Sequence, residues 1–308
     1  MEKRLKERLE ELAENPVQWE CRLAPFTSFG IGGPADALVQ VESGEELSKL
    51  LEFFMENSIA WRCIGRGSNL LVADSGFSGV VLLFGKTLSQ IELLSDPEAV
   101  DIRVRVGAGC SLAKLLNWCT ENSYSGLEFA AGIPGSLGGA VVMNAGAWGR
   151  EMADIIGSIK VLSLHSGVEH LARKKLDFRY RLWGNQGSGE RKRIVLSADI
   201  CLKPGNKEAI QEECREYLTQ RKLKQPRVTK NGGSFFKNPE GDSAGRLIEA
   251  SGLKGTRCGG AMVSPVHANF LVNTGKATAN DVCRLMDIVV RQVKKDSGVE
   301  LLPEVHFL

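Results

Sequence analysis

Three segments concentrate glycine with small polar residues: Phe29-Gly30-Ile31-Gly32-Gly33-Pro34-Ala35-Asp36, Gly65-Arg66-Gly67-Ser68-Asn69-Leu70-Leu71 and Gly132-Ile133-Pro134-Gly135-Ser136-Leu137-Gly138-Gly139-Ala140. Glycine tolerates positive φ and close backbone approach, so successive amides can turn into one concavity and hold a diphosphate. One such loop is more often an ordinary turn. Three in one chain point to a bound dinucleotide. The Gly65 segment lacks the third glycine of the Rossmann fingerprint, and no stretch completes the P-loop pattern, so another dinucleotide scaffold is expected.

The Gly65 segment with Asp74, Gly76 and Gly79 after it, followed by Ala131 to Gly149, resembles the FAD-binding domain of the vanillyl-alcohol-oxidase-like (PCMH-type) flavoproteins. From Thr27 onward the chain is similar to the UDP-N-acetylenolpyruvoylglucosamine reductase (MurB) family. The resemblance implies an α+β fold, with a PCMH-type FAD-binding domain of two α+β subdomains followed by a smaller α+β substrate-binding domain. It implies FAD contacts from Gly65, Arg66, Gly67, Ser68, Asn69 and Leu70, from Gly132, Ile133, Pro134, Gly135, Gly138 and Gly139, and from Asn144, Gly146 and Ala147. In covalent relatives a histidine often tethers the flavin. No histidine precedes His165, so a tether to the Gly30 or Gly65 loop is excluded and noncovalent FAD is expected.

The activity that the resemblance implies is reduction of UDP-N-acetylglucosamine enolpyruvate to UDP-N-acetylmuramate, with NADPH as hydride donor. Besides flavin, an enol ether bearing a carboxylate needs a cation for that carboxylate, a partner to polarise it and a proton donor. In Asp177-Phe178-Arg179-Tyr180-Arg181, Arg181 takes the position of the family's catalytic arginine, and a guanidinium can pair with a carboxylate as charge builds on it. In Gly232-Gly233-Ser234-Phe235-Phe236-Lys237-Asn238-Pro239, Ser234 maps to the proton-donating serine. Serine is a poor acid, so placement has to do what acidity cannot. In Leu302-Pro303-Glu304-Val305, Glu304 maps to the catalytic glutamate, which beside a substrate carboxylate must carry a proton or be balanced by Arg181. Without the motifs these would read as a solvated arginine, a turn serine and a terminal acid. Tyr180, Lys224 and Asn238 are further substrate-binding candidates.

Leu302 and His306 stand where family members often carry Glu and Arg, and the short stretch between Arg181 and Val195 resembles the compact second type of the family. The basic residues Arg221, Lys222, Lys224, Arg227 and Lys230 could read as a nucleic-acid patch. The resemblance places them beside the nucleotide diphosphate, and a solvated helix face accounts for most of them. Two alternatives stand beside the reductase: another noncovalent FAD oxidoreductase on the same fold, and a nucleic-acid-binding protein without catalysis.

The elements that must carry these residues are legible in outline. Residues 1–15 read as a charged, peripheral helix that stops before Asn15-Pro16. Apolar runs at Ala37 to Val41, Val80 to Phe84, Ile102 to Val106, Ile159 to Leu164 and Ile194 to Leu202 read as strands. Ser43 with Glu46 and Thr278 with Asp281 read as capping boxes opening helices, and Ser111 as the cap of a helix from Leu112 to Glu121. A polar helix from Lys207 to Lys222 follows the turn signal Lys203-Pro204-Gly205-Asn206, and the tail from Val299 reads as a strand.

The domains expected are 1–20 as helix and lead-in, 21–204 for FAD (subdomains about 21–85 and 86–204), 205–299 for substrate, and 300–308 as a returning strand. A net charge of +2 gives no reason to expect a polyanion partner, so no nucleic acid is expected. Eight cysteines without Cys-x-x-Cys or Cys/His metal spacing read as reduced core thiols, with no metal site. No signal or membrane-length apolar run is evident, so a cytoplasmic protein without membrane attachment is expected, acting as a monomer.

Overall fold

The computed structural model describes residues 1–96, 99–164, 166–184, 193–226 and 230–308. Arg227, His165 and residues 185–192 of the stretch after Arg181, all used in the sequence reading, lie outside the described residues. The chain forms two compact units, one of residues 1–19, 37–66 and 79–219, the other of 20–36, 67–78 and 220–308.

The first unit is built on two sheets. In one, the strands run in the order Gln18–Arg22, Pro34–Val41, Phe77–Phe84 and Trp61–Cys63, the last pair parallel. Helix α2 (Gly44–Glu56) lays Leu47, Leu50, Leu51 and Phe54 on Ala37, Val39, Val41, Val80 and Leu82, the stripe expected of a half-buried amphipathic helix. Ser43 Oγ accepts the Glu46 N–H at 3.0 Å, but the capping box is only half formed. The Glu46 carboxylate instead accepts the N–H groups of Glu42 at 2.7 Å and Glu14 at 2.8 Å, which satisfy the buried acid. Helix α1 (Lys3–Leu12) is charged and mostly exposed, as read, and is anchored by Leu9, fully buried in this core, with Leu5 and Leu12 partly buried on the same stripe.

The other sheet is antiparallel and runs Gly167–Ala172, Ile156–Ser163, Arg193–Pro204, Ile102–Gly107 and Ile91–Leu93, with Tyr124–Ser125 also paired to Arg193–Pro204. Its apolar face packs against α3 (Leu112–Glu121) and α4 (Leu137–Val142), with Val104, Val106, Leu112, Leu115, Leu137 and Ala198 in one core. Ser111 caps α3 by accepting the Lys114 N–H at 3.1 Å. Helix α5 (Lys207–Lys224) leaves the end of the long strand.

In the second unit, a small antiparallel sheet, Arg257–Cys258, Ala261–Val263 and Leu271–Asn273, is covered by α6 (Ala244–Ala250) and α7 (Ala279–Ser297). Helix α7 buries Val282, Leu285, Val289 and Val293 along one face, and its Thr278/Asp281 capping box is complete, as read. The tail contributes only a short strand, His306–Phe307, which lies parallel to Leu70–Leu71. All eight cysteines are free thiols, but only Cys110 and Cys119 are buried, and Cys201 is exposed.

Candidate active site

In the first unit the Gly65 and Gly132 segments meet. A Cβ on Gly65 would stand 2.5 Å from the Ser136 hydroxyl, which would have to turn aside, so glycine lets the two loops close without disturbing Ser136. Ser136 in turn caps α4 by accepting the Gly139 N–H at 3.4 Å. The first amides of α4 are committed to the protein: Leu137 N donates to Cys110 O and Gly138 N to Ala108 O, both at 2.8 Å. Among the described residues, the N–H groups of Gly65, Arg66, Gly132 and Gly135 donate to no protein acceptor, and Gly65, Arg66 and Gly132 are exposed. Donors of this kind at glycine bends fit the diphosphate of a dinucleotide. Ile133 is tucked partly into the core and Pro134 is exposed.

Asn144 works differently from a direct cofactor contact. It is fully buried at a φ of +41°, its Nδ2 donates to Arg179 O at 3.2 Å, and its Oδ1 accepts the Ala153 N–H at 3.0 Å. Its amide therefore ties the Gly146–Ala147 hairpin, which turns at Trp148 and Gly149, to the segment that carries Arg181. That segment is itself a hairpin: Phe178 faces Trp183, Arg179 faces Leu182, and Tyr180 and Arg181 form the turn. Arg181 has a φ of +54°, a position that glycine usually takes in a turn of this length. Its guanidinium lies 5.0 Å from the centroid of the half-exposed Tyr180 ring.

In the second unit the glycines of the first segment are taken up by backbone packing. Gly33 lies against the Asp74 and Gly76 backbone, where any Cβ would collide, and Asn273 Nδ2 donates to Phe29 O at 2.9 Å. Beside them, residues 67–69 use their carbonyls internally: Gly67 O accepts the Ser28 N–H at 3.0 Å and Asn69 O that of His306 at 3.1 Å. The Gly67 and Asn69 N–H groups donate to no described acceptor, which again suits an anion. Ser68 accepts from Ser28 Oγ at 3.2 Å, and Leu70 enters the pairing with the tail. Asp74 holds the end of this segment by accepting the first amides of α7, Ala279 at 2.8 Å and Asn280 at 3.0 Å.

Ser234 and Glu304 are brought together here. Glu304 N donates to Phe235 O at 2.8 Å, Lys237 N to Leu302 O at 2.9 Å, and Asn69 Nδ2 to Glu304 O at 3.0 Å. The residue after the serine, the glutamate and the end of the Gly65 loop thus lie on one run of hydrogen bonds. Ser234 and Glu304 are both half-buried, flanked by the fully buried Phe235 and Val305. Asn238 accepts the Ala244 N–H at 3.1 Å at the start of α6, and Lys224 is exposed in the last turn of α5. His306, where an arginine is common, has its pKa held below the ordinary histidine range by burial and then by the charge of Lys237.

Sequence reading missed Asn269. It is buried within Ala268-Asn269-Phe270-Leu271-Val272, and an amide interrupting an apolar run must find partners inside the protein, which is the signal that could have found it. Its neighbour His267 packs on Phe270 with centroids 4.9 Å apart, and His267 Nδ1 accepts the Asn269 N–H at 3.2 Å. Burial, then the charge of Lys254, lowers the His267 pKa, against a weaker opposing effect of Glu249, which pairs with Lys254 at 2.6 Å. The unfolded chain therefore takes up this proton first, so the associated stability is whole above about pH 6.5 and is lost as pH falls toward the lowered folded value. Melting temperature is expected to drop between about pH 7 and about pH 5, with a shallower drop in His267→Gln. Equal slopes in the two proteins would assign the acid sensitivity elsewhere.

Among the described residues no group of His, Cys, Asp and Glu could hold a metal ion, and no helix is long and apolar enough to cross a membrane.

A family model described as UDP-N-acetylenolpyruvoylglucosamine reductase, C-terminal domain, matches residues 225–308, and one described as FAD binding domain matches residues 35–171. The chain is similar to the UDP-N-acetylenolpyruvoylglucosamine reductase of Syntrophus aciditrophicus, 43% identical over 304 residues that cover 99% of this chain and 96% of the relative. It is 41% identical to that of Anoxybacillus flavithermus over 308 residues, 100% of this chain and 99% of the relative. Among solved structures it is similar to the UDP-N-acetylenolpyruvylglucosamine reductase (MurB) from Thermus caldophilus, with a TM-score of 0.77 and 36% identity over 95% of this chain and 98% of that one.

Proposed function

Because this chain belongs to the UDP-N-acetylenolpyruvoylglucosamine reductase (MurB) family, we propose that it reduces UDP-N-acetylglucosamine enolpyruvate to UDP-N-acetylmuramate in peptidoglycan precursor synthesis. Its FAD-binding domain is of the PCMH type, and NADPH is the reductant. Bound FAD, once reduced by NADPH, supplies hydride to the methylene carbon of the enolpyruvyl group. The amides of Gly65, Arg66, Gly67, Asn69, Gly132 and Gly135 are the donors left open for its diphosphate.

The chain's own residues manage charge and proton. Arg181 pairs with the substrate carboxylate as negative charge accumulates on it, an interaction stronger in the transition state than in the ground state. Glu304 carries a proton beside that carboxylate, so that it assists instead of repelling. Ser234 gives its hydroxyl proton to the carbon next to the one that took hydride, and solvent restores the serine. Tyr180, Lys224 and Asn238 bind the remainder of the substrate. The same reading puts the reaction in the cytoplasm, where NADPH and nucleotide sugars are available, with the chain acting as a monomer.

The observation that supports this reading is the pairing of the segment after Ser234 with the segment that carries Glu304, set by the 2.8 Å bond from Glu304 N to Phe235 O, in a chain that matches its relatives over nearly its full length. Purified protein is expected to be yellow, to release intact FAD on denaturation, and to oxidise NADPH only when the enolpyruvyl substrate is present. A colourless protein would sink the proposal. Rapid reoxidation of the reduced flavin by oxygen, with no response to substrate, would favour an oxidase instead.

A further inference from the structure

We propose that Asn269 is a positioning residue for proton transfer, holding the Ser234 segment in register with Glu304. This rests on the reading of Ser234 as proton donor. The Asn269 side chain engages a single residue twice: Oδ1 accepts the Phe236 N–H at 2.9 Å and Nδ2 donates to Phe236 O at 2.8 Å. Its backbone adds a third bond, with Phe235 N donating to Asn269 O at 2.8 Å. The amide thus stands in for a neighbouring strand.

On the other side of the same residues run the bonds to the tail, from Glu304 N to Phe235 O and from Lys237 N to Leu302 O, and Phe236 forms a bridge with Pro303. Residues 235–237 are therefore gripped along both edges, by Asn269 on one and by 302–304 on the other. Upstream of Ser234 the backbone is a glycine pair, with Gly233 at a φ of +78° and open space where its Cβ would be. Gly233 N donates to Asn231 Oδ1 at 2.9 Å and Gly232 packs close against the Phe29 ring, so Asn269 acts on Ser234 from the downstream side beside this upstream restraint.

The cost of losing this grip is large for its size. Asn269 is 3% exposed, and a buried amide or carbonyl left without its partner loses its hydrogen bond with no water to replace it. The segment would relax, and a small misplacement of a donor hydroxyl is enough to slow proton transfer.

The test uses the FAD-loaded enzyme with Asn269→Asp, which keeps an acceptor for Phe236 N but sets a carboxylate oxygen against Phe236 O. In rapid mixing, flavin reduction by NADPH should stay within about twofold of the parent, while reoxidation by UDP-N-acetylglucosamine enolpyruvate slows roughly tenfold or more. In a Ser234→Ala background the same substitution should slow reoxidation no further, because it acts only through the serine. Amide hydrogen exchange should rise in residues 232–238 and 302–306 before it rises elsewhere, with the melting temperature lowered by only about a few degrees.

Equal slowing of both half-reactions, or independent losses in the double variant, overturns the proposal. So does loss of FAD or of folding in both Asn269→Asp and Asn269→Ser, since the amide would then serve the fold as a whole. If Ser234→Ala is selectively slow in reoxidation and Asn269→Asp is not, the role of Asn269 alone fails. If Ser234→Ala leaves reoxidation untouched, the proton-donor reading itself fails.

Discussion

Ser234→Ala is expected to lower turnover on the order of 10²- to 10⁴-fold, the usual range for a positioned general acid, while NADPH still reduces the flavin at its normal rate. The split follows from where the hydroxyl acts. Hydride arrives at the flavin without help from Ser234, but the substrate carbanion that follows hydride addition needs a proton. On the proposed reading serine would supply it despite its weak acidity because its segment is held in place: the next two residues, Phe235 and Phe236, are 0% and 1% exposed and anchor the segment in the core. Their rings pack edge to face at 5.1 Å, and Phe235 meets Phe29 at 6.3 Å in the same way. Removing one oxygen from a half-buried side chain should leave these contacts and the melting temperature unchanged. Rapid mixing resolves the two half-reactions, and a loss shared equally between them would point to general damage and end the assignment.

Arg181 carries the second large effect, and its backbone makes the experiment unusually clean. A left-handed conformation at a residue with a side chain is strained by roughly 1 kcal/mol, and glycine relieves it. Arg181, at a φ of +54°, occupies the second position of the turn between Phe178–Arg179 and Leu182–Trp183. Arg181→Gly should therefore hold or raise the melting temperature while turnover falls on the order of 10²- to 10³-fold, the cost of removing one positioned charge partner. Arg181→Lys keeps the charge but loses the planar fork that meets both oxygens of a carboxylate, and should fall between the two. Kinetics and thermal melts on the same preparations decide it. Unchanged turnover in Arg181→Gly would leave the arginine without a chemical role, and a lowered melting temperature would give it a structural one.

The strain at Arg181 and the committed amide of Asn144 belong together. An arginine in a conformation suited to glycine persists only if its surroundings over-determine it. The bond from Asn144 Nδ2 to Arg179 O is one such restraint, placed two residues before the strained position. Asn144 thus contributes through the backbone it holds, and the flavin contacts expected near it would come from Gly146 and Ala147.

Local chemistry was legible along the chain. Helix α3 spans Leu112–Glu121 as its Ser111 cap and apolar spacing imply, and the Thr278/Asp281 capping box opens α7 with its apolar stripe inward. Both depend on groups within a few residues of each other. The apolar runs likewise became strands, extended by a few residues once their neighbours in the sheet supplied partners. Motif residues such as Arg181, Ser234 and Glu304 could be singled out because their surroundings in sequence were characteristic.

What sequence by itself determined is this local layer: where helices begin and which faces are apolar. Tertiary structure alone decided which partners lie far apart in the chain. Glu46 reads as half of a capping box but accepts the N–H of Glu14, a group 32 residues away. Three glycine segments look alike in sequence, yet Gly33 serves backbone packing while Gly65 closes against Ser136. Asn69 reaches Glu304 across 235 positions, and segments 20–36 and 67–78 cluster with 220–308. The physical reason is that a hydrogen bond or a packed glycine is indifferent to separation along the chain, so its partner is chosen by the folded backbone.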